Sequence, residues 1–317
     1  MTVHCLQSFP GPTLQAALSQ FEEQFDYPLG DSDRFRIDHS DDYSRFFRAM
    51  GEAAIFVHED KMGVQGVLSC AERTMLGPDE SPFRALYLCD LKVQNSPRKG
   101  RILLRLLRAV RDHFQERLRF GYAVVMDGTA VLPSQYTGRL GLPLFQKIGE
   151  MAIYNFVTPQ LSPSPDTCPE NFAQLSDIQL AYLNPEKTAY RASSSDASLR
   201  SSTAPLALML PDKSAYGVVE DTERAKQLIS LSSGSLCSAH LSQFVYHSLP
   251  AGAALIRAAL RHCQKIERPR LFVALSKSDG PALLNQLSDL SVTKASATIF
   301  GHGFLDGKEW LINSSEI

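Results

Sequence analysis

The stretch "DLKVQNSPRKGRILLRLLRAV", Asp90 to Val110, joins the end of an alternating strand-like run, a basic loop with one glycine, and the start of an amphipathic helix. Ile102, Leu103, Leu106, Leu107, Val110 and Phe114 recur at helical spacing, while Arg101, Arg105 and Arg108 share another face. A strand that feeds directly into such a helix aims the unpaired N–H groups of its first turn at whatever lies beyond the strand end. Arg98, Lys99 and Arg101 add fixed positive charge there, and Gly100 allows close backbone approach. The arrangement suits a phosphate or pyrophosphate. A solvated connecting turn has the same outline, so both readings stand at this point.

Outward from this stretch the periodicity alternates. "PTLQAALSQFEEQF" has Leu14, Leu18, Phe21 and Phe25 on one helical stripe, and "DDYSRFFRAMGE" reads as a second helix that Asp41 or Asp42 could cap. "EAAIFVHEDKMGVQGVLSCAERTM" reads as two strands with a turn at Asp60 to Gly63, and "FRALYLCDLKV" as a third. After the helix come the strand "GYAVVM", a Pro/Gly loop, a short helix over "LPLFQKIGE" and a last strand, "MAIYNFV". This order describes one mixed α/β (α+β) domain over residues 1–158.

"TPQLSPSPDTCPEN" carries four prolines, and residues 159–171 read as a semi-rigid linker. The serine-rich "RASSSDASLRSSTAP", Arg191 to Pro205, reads as an exposed loop or disordered insertion. Residues 172–317 then form a second unit. It echoes the first: Leu236 to Leu275 runs strand, loop with Pro250 and Gly252, helix, strand, followed by "DGPALLNQL", "ASATIF" and "EWLINSS".

Two familiar phosphate loops are absent: there is no G-x-x-x-x-G-K-[ST], and no G-x-G-x-x-G follows an early strand. A third kind is matched in outline. From Ala54 to about Val157 the chain resembles the GNAT N-acetyltransferase superfamily, whose central motif is a strand, a loop of the form [Q/R]-x-x-G-x-[G/A], and a helix with a Leu-Leu pair. With Arg98 at the Q/R place, Leu106-Leu107 fall on the pair, but Arg101 and Leu103 stand where glycines are usual. With Gly100 as the first glycine, Pro97 takes the Q/R place and Ile102 that of the second small residue. The resemblance implies two GNAT-like acyl-CoA N-acyltransferase domains, each a mixed, mostly antiparallel sheet flanked by helices. It implies acetyl-CoA as acyl donor, with Leu91, Lys92 and Val93 pairing the pantetheine amides and Arg98, Lys99, Gly100, Arg101, Ile102 and Leu103 wrapping the pyrophosphate. The implied reaction is acetyl transfer to a primary amine of a small molecule or protein; a non-catalytic CoA-binding or interaction module is the alternative.

Such transfer requires a base for the amine and an acid for the departing thiolate. The tyrosine that often serves as acid in the family is replaced by Phe145 in "LFQKIGE", which leaves Tyr136 as the nearest substitute. Asp90, Glu72 and Asp127 are the candidate bases. The second copy keeps Gly252 and Ala254, yet Leu249 stands at the Q/R place and no basic residue precedes Arg257 in the loop "LPAGAALIRAAL", so this half reads as degenerate. The charged run "GVVEDTERAKQL" reads as a strand end passing into a helix, or as an amine-binding cluster.

Net charge −2 and a pI near 6.5 give no global reason for a nucleic-acid or membrane partner, so neither is expected and any basic patch must be local. The six cysteines form no C-x-x-C pair, His240, His247 and His302 are dispersed, and no metal is expected. "MTVHCLQSFPGP" lacks the pattern of a leader, so a cytoplasmic location is expected, with a homodimer possible.

Overall fold

The computed structural model describes residues 2–29, 33–117, 119–139, 141–158, 189–193 and 195–317. The first half runs β1 (Thr2–Leu6), α1 (Pro12–Glu22), β2 (Tyr27–Leu29), β3 (Asp33–Asp38), α2 (Arg45–Arg48), β4 (Glu52–Asp60), β5 (Gly63–Leu76), β6 (Pro82–Val93), α3 (Lys99–Phe114), β7 (Gly121–Met126), α4 (Pro133–Tyr136) and β8 (Gln146–Val157). The second runs β9 (Ala189–Ala192), α5 (Ala197–Arg200), β10 (Leu206–Met209), β11 (Ala215–Glu220), β12 (Gln227–Ser230), β13 (Gly234–Ser235), β14 (Ser238–Tyr246), α6 (Leu249–Lys265), β15 (Arg270–Ser276), α7 (Gly280–Asn285), β16 (Val292–His302) and β17 (Glu309–Leu311).

The fold is the mixed α/β architecture expected, with one large sheet in the order β1-β4-β5-β6-β7-β16-β8-β15-β14-β11-β10. Successive side chains of a strand point to opposite faces. On β4, Ile55 and Val57 therefore pack with Leu18, Phe21, Phe46 and Phe47 under α1 and α2. Ala54 and Phe56 pack under α3 with Ile102, Leu106, Leu107, Val110 and Phe114. Burying each of those larger α3 side chains contributes about 1.5–3 kcal/mol. Gly66 sets how closely α3 approaches, because a Cβ there would lie 2.8 Å from Ile102 Cγ2.

The sequence order of the halves is not the order of the strands. β16, near the end of the chain, lies between β7 and β8, pairing Thr298 with Val125 and Ala297 with both Met126 and Met151. β8, the last strand of the first half, borders β15 of the second, with Tyr154 opposite Val273. Each half thus completes its sheet with a late strand of the other. The cores mix accordingly: Ala152, Tyr154 and Phe156 pack under α6, while Ile299 and Trp310 join the cluster under α1. A second sheet, β13-β12-β3-β2, also draws on both halves.

Three expectations are corrected. "LFQKIGE" is not a helix; from Gln146 it is the start of β8, and the short helix is α4, before it. The serine-rich segment is largely built into the fold, since α5 lies within it and Arg200 is 1% exposed against Glu220. The run "GVVEDTERAKQL" ends in strand β12, with Glu220, Asp221 and Lys226 all buried. The proline-rich segment 159–171 lies outside the described residues. No described helix is long and apolar enough to cross a membrane.

Candidate functional site

β6 and β7 are parallel and paired only at Leu86 with Gly121 and Tyr87 with Tyr122; beyond these they part. At the apex of the split the rings of Tyr87 and Tyr122 stack at 4.8 Å. The divergence begins beside a bulge. Opposite β5, Ser69 pairs with Cys89 and Val67 with Lys92, so Leu68 alone faces Asp90 and Leu91, and Asp90 takes φ 46°. No described strand pairs with the β7-facing edge of β6 beyond Tyr87, which leaves its backbone groups open into the split.

The residues expected to hold a pyrophosphate stand at the mouth. Arg98, Lys99, Gly100 and Arg101 are exposed, and nothing lies within 4 Å of where a Gly100 Cβ would be. The helix starts at Lys99, earlier than a wrapping loop would require. The amides of Arg101 and Ile102 both donate to the Arg98 carbonyl, at 2.9 and 3.0 Å, and Ile102 is buried in the core with Leu103 packed against it. Leu91 is half-buried on the same α3 face, and Val93 is buried there. Lys92 instead sends its side chain through to the α1 face.

There it joins a buried polar cluster. Lys92 Nζ donates to Glu22 Oε1 at 2.7 Å and to Asp90 Oδ1; Tyr43 donates its hydroxyl to Asp90 Oδ2; Glu22 Oε1 lies 2.7 Å from His39 Nδ1. Burial works against the Asp90 anion, but Lys92 and His39 outweigh it and hold its pKa below the usual range. Glu22, His39 and Asp90 place one ligand atom each within 4.8 Å of one another, as for a metal, yet the Lys92 ammonium already bonds both carboxylates. Lys226 faces the same interior. Its ammonium lies 4.3 Å over the Phe46 ring and donates to the Ile317 carbonyl, and burial pulls its pKa down to about 7.

The candidate catalytic residues are not gathered in one place. Tyr136 packs against the α3-side cluster, where burial pushes its hydroxyl up to about 12, while Asp90 is engaged on the opposite face of β6. Glu72 stands at the far end of α3, held by Arg84 (3.2 Å) and Arg117 (3.0 Å), about 24 Å of helix away from the basic loop. Asp127 accepts from Thr298 just beyond β7, and Phe145 is buried. Tyr43, His39 and Glu22 lie far from Asp90 in the sequence and carry no motif, and Lys226 is marked there only as one charge in the run "GVVEDTERAKQL".

The second half repeats the split. β14 and β15 pair in parallel from Ser238–Arg270 to Leu241–Val273 and then part, and β14 carries the matching bulge, Gln243, at φ 53°. The helix start is different. Ser248 Oγ accepts from the Ala251 amide, and Gly252 lies against Tyr246 and Leu283, so the place that is open at Gly100 is filled. The split itself holds a cavity of about 70 Å³ lined by Phe244, Tyr246, Leu275, Asp279, Glu309 and Trp310. A cleft of about 450 Å³, ringed by Lys147, Glu150, Lys277 and Asp306, shares Ser276, Glu309 and Trp310 with it. The Trp310 indole N–H is buried and has no acceptor among the described residues.

The last residues bind both halves together. Asn313 accepts from the Gln243 amide, Ser314 meets His240, Ser315 meets Ser242 and Glu220, and Glu316 takes two bonds from Arg73.

No known family pattern and no curated protein matches this sequence. Solved structures do match the fold. Saccharomyces cerevisiae N-myristoyltransferase with bound myristoyl-CoA aligns over 99% of this chain and 82% of that one, with a TM-score of 0.63 and 10% identity. A second structure of that enzyme with bound myristoyl-CoA gives 0.61 over 96% and 83%, at 9% identity. A third, with myristoyl-CoA and inhibitors, gives 0.60 over 99% and 83%, at 10%. The chain shares the fold of those proteins.

Proposed function

We propose that this protein is an acyl-CoA-dependent N-acyltransferase. The observation that carries the reading is the first split, with a bulged strand edge left unpaired, a helix start at its mouth, and exposed Arg98, Lys99 and Arg101 around the open space over Gly100. In this reading the pantetheine amides pair with the edge at Leu91 to Val93, and the phosphates meet the loop cations.

The acceptor amine enters through the second split, whose aromatic walls and Asp279 and Glu309 suit an ammonium on an apolar body. In the reaction the acceptor ammonium gives up a proton, its nitrogen forms the C–N bond at the thioester carbon, and the C–S bond breaks. The departing thiolate takes the proton released by the new amide nitrogen. Lys226, its pKa drawn down to about 7 by burial, is the proton-accepting group facing the interior beside the first bulge, while Asp90 stays anionic against Lys92 and Tyr43.

The donor is read as a long-chain acyl-CoA, supported by the likeness over nearly the whole chain to structures that hold myristoyl-CoA. The acetyl donor expected from the sequence has one observation in its favour: the stacked Tyr87–Tyr122 pair at the apex of the split, which suits a short acyl group. Calorimetric titration with myristoyl-CoA and acetyl-CoA in parallel decides between them. Release of free thiol with a panel of amines and amino-terminal peptides tests turnover. Binding without release supports the module reading instead, and no binding of either donor at millimolar concentration overturns the proposal.

A further inference from the structure

Between Arg98 and Arg111 the chain has six cations and no acid, in a protein of net charge −2. Arg98, Lys99, Arg101 and Arg108 are exposed, and their side chains have no hydrogen-bond or ion-pair partner among the described residues. Arg105 lies 3.1 Å from His58 Nε2, and Arg111 bonds Asp112. A pyrophosphate at the loop would occupy Arg98, Lys99 and Arg101. Arg108 lies about 10 Å further along the helix axis than Arg101, out of reach of such a ligand. The positive surface therefore extends beyond what the donor needs.

A second feature lies at the same end of the sheet. β5 begins at Gly63, and its Gly66 sits under Ile102 and opposite Val93, the last residue of β6. The turn before it, Lys61–Met62, is thus beside the start of α3. Met62 is 78% exposed, more than any other large apolar side chain among the described residues. The acids nearby are engaged: Asp60 accepts from the Met62 amide at 2.9 Å, and Glu59 faces His4 at 3.7 Å.

We propose that the outer face of α3, with the Lys61–Met62 turn, docks on an anionic lipid bilayer. The apolar face of α3 is committed to the core, so the helix lies against the headgroups rather than among the acyl chains, with Met62 as the one apolar contact. A single-stranded nucleic acid, the other polyanion of note, binds by stacking on aromatic side chains as well as by charge. The exposed face offers none: Phe9, the one exposed phenylalanine among the described residues, follows the far end of β1. The mouth of the first split opens on this same face, so a membrane-dissolved acyl-CoA would be delivered to it.

The test is co-sedimentation of the full chain with vesicles of phosphatidylcholine alone and of phosphatidylcholine with phosphatidylserine. Binding is expected on the anionic vesicles only, falling as salt is raised. Each cation near such a surface is worth about fivefold in partitioning, so Lys61→Glu and Arg108→Glu should each weaken it about tenfold or more. Equal binding to both vesicles, binding to neither, or loss of vesicle binding to a competing mixed oligonucleotide overturns the proposal. The proposed acyl transfer is judged separately, because Arg108→Glu leaves the donor titration without vesicles unchanged.

Discussion

The guanidinium of Arg73 and the carboxylate of Glu316 are 2.9 Å apart in space and 243 positions apart in the chain, and both are almost completely buried. Burial opposes the Glu316 anion, but Arg73 and Arg200 overcome that and hold its pKa below the usual range. Removing one partner of such a pair strands the other. Glu316→Gln is expected to cost about 3–5 kcal/mol, read from the denaturant midpoint. Because the native pKa is depressed, the contribution is present above the unfolded value and disappears as pH falls through the native one. The variant and the wild type should therefore converge in acid.

Lys226 has the opposite sign. Its ammonium is unfavourable in the interior, so between a native pKa of about 7 and its ordinary value of 10.5 the unfolded chain binds more protons, and stability rises with pH across that window. Lys226→Met should stabilise the protein on the order of 3 kcal/mol at pH 6 and by much less at pH 10. An equal shift in melting temperature at both pH values would contradict this assignment.

The loop prediction concerns binding. Arg98→Glu and Gly100→Asp both place negative charge at the mouth of the first split, in open space where neither disturbs packing. Each should weaken titrated acyl-CoA by roughly tenfold or more while leaving the melting temperature nearly unchanged. A charge-independent loss would point to a role in folding.

Trp310 is the single tryptophan and lines both parts of the second cleft, which makes intrinsic fluorescence a direct reporter of that site. Octylamine, an ammonium on an apolar chain, should change the emission saturably, whereas octanol should do so far less. Similar responses to the two would count against recognition of the ammonium by Asp279 and Glu309.

What the sequence revealed depended on how local the signal was. The β4–β5 hairpin, β6, α3 and β7 follow from period-2 and period-3.6 patterns carried by adjacent residues, and they stand where those patterns place them. In "LFQKIGE" the spacing of Leu144, Phe145 and Ile148 is helical, while the pairing of β8 with β16 and β15 decides the conformation. Asp90 at φ 46° is marked by no glycine, so its bulge is legible only in the register against Leu68. Glu22 on α1, His39 and Tyr43 in the β3–α2 connection and Lys226 just before β12 reach the Asp90 region from three separate segments, and their partnership is a product of topology alone. The reading of the second half as degenerate rested on its loop chemistry; the structure adds that its strand split and bulge remain.

The placement of β16 sharpens what separating the halves would do. Residues 1–158 expressed alone lack the strand that pairs with β7 and leave both edges of β8 unpaired. Neither this fragment nor 189–317 should give dispersed amide resonances by itself. Co-expressed, the two should associate and recover them. A stably folded isolated fragment would show that the exchanged strands contribute little.

The same placement orders the events of synthesis. A ribosome making this chain releases β4 to β8 well before β16, so β7 and β8 wait through more than a hundred further residues for the strand that must enter between them. During that interval Val125 and Met151 lack the neighbours at Thr298 and Ala297 that they have in the finished sheet. The nascent chain therefore presents long unsatisfied strand edges until β16 has emerged, and its demand for chaperone protection should be greatest when elongation through the second half is slow.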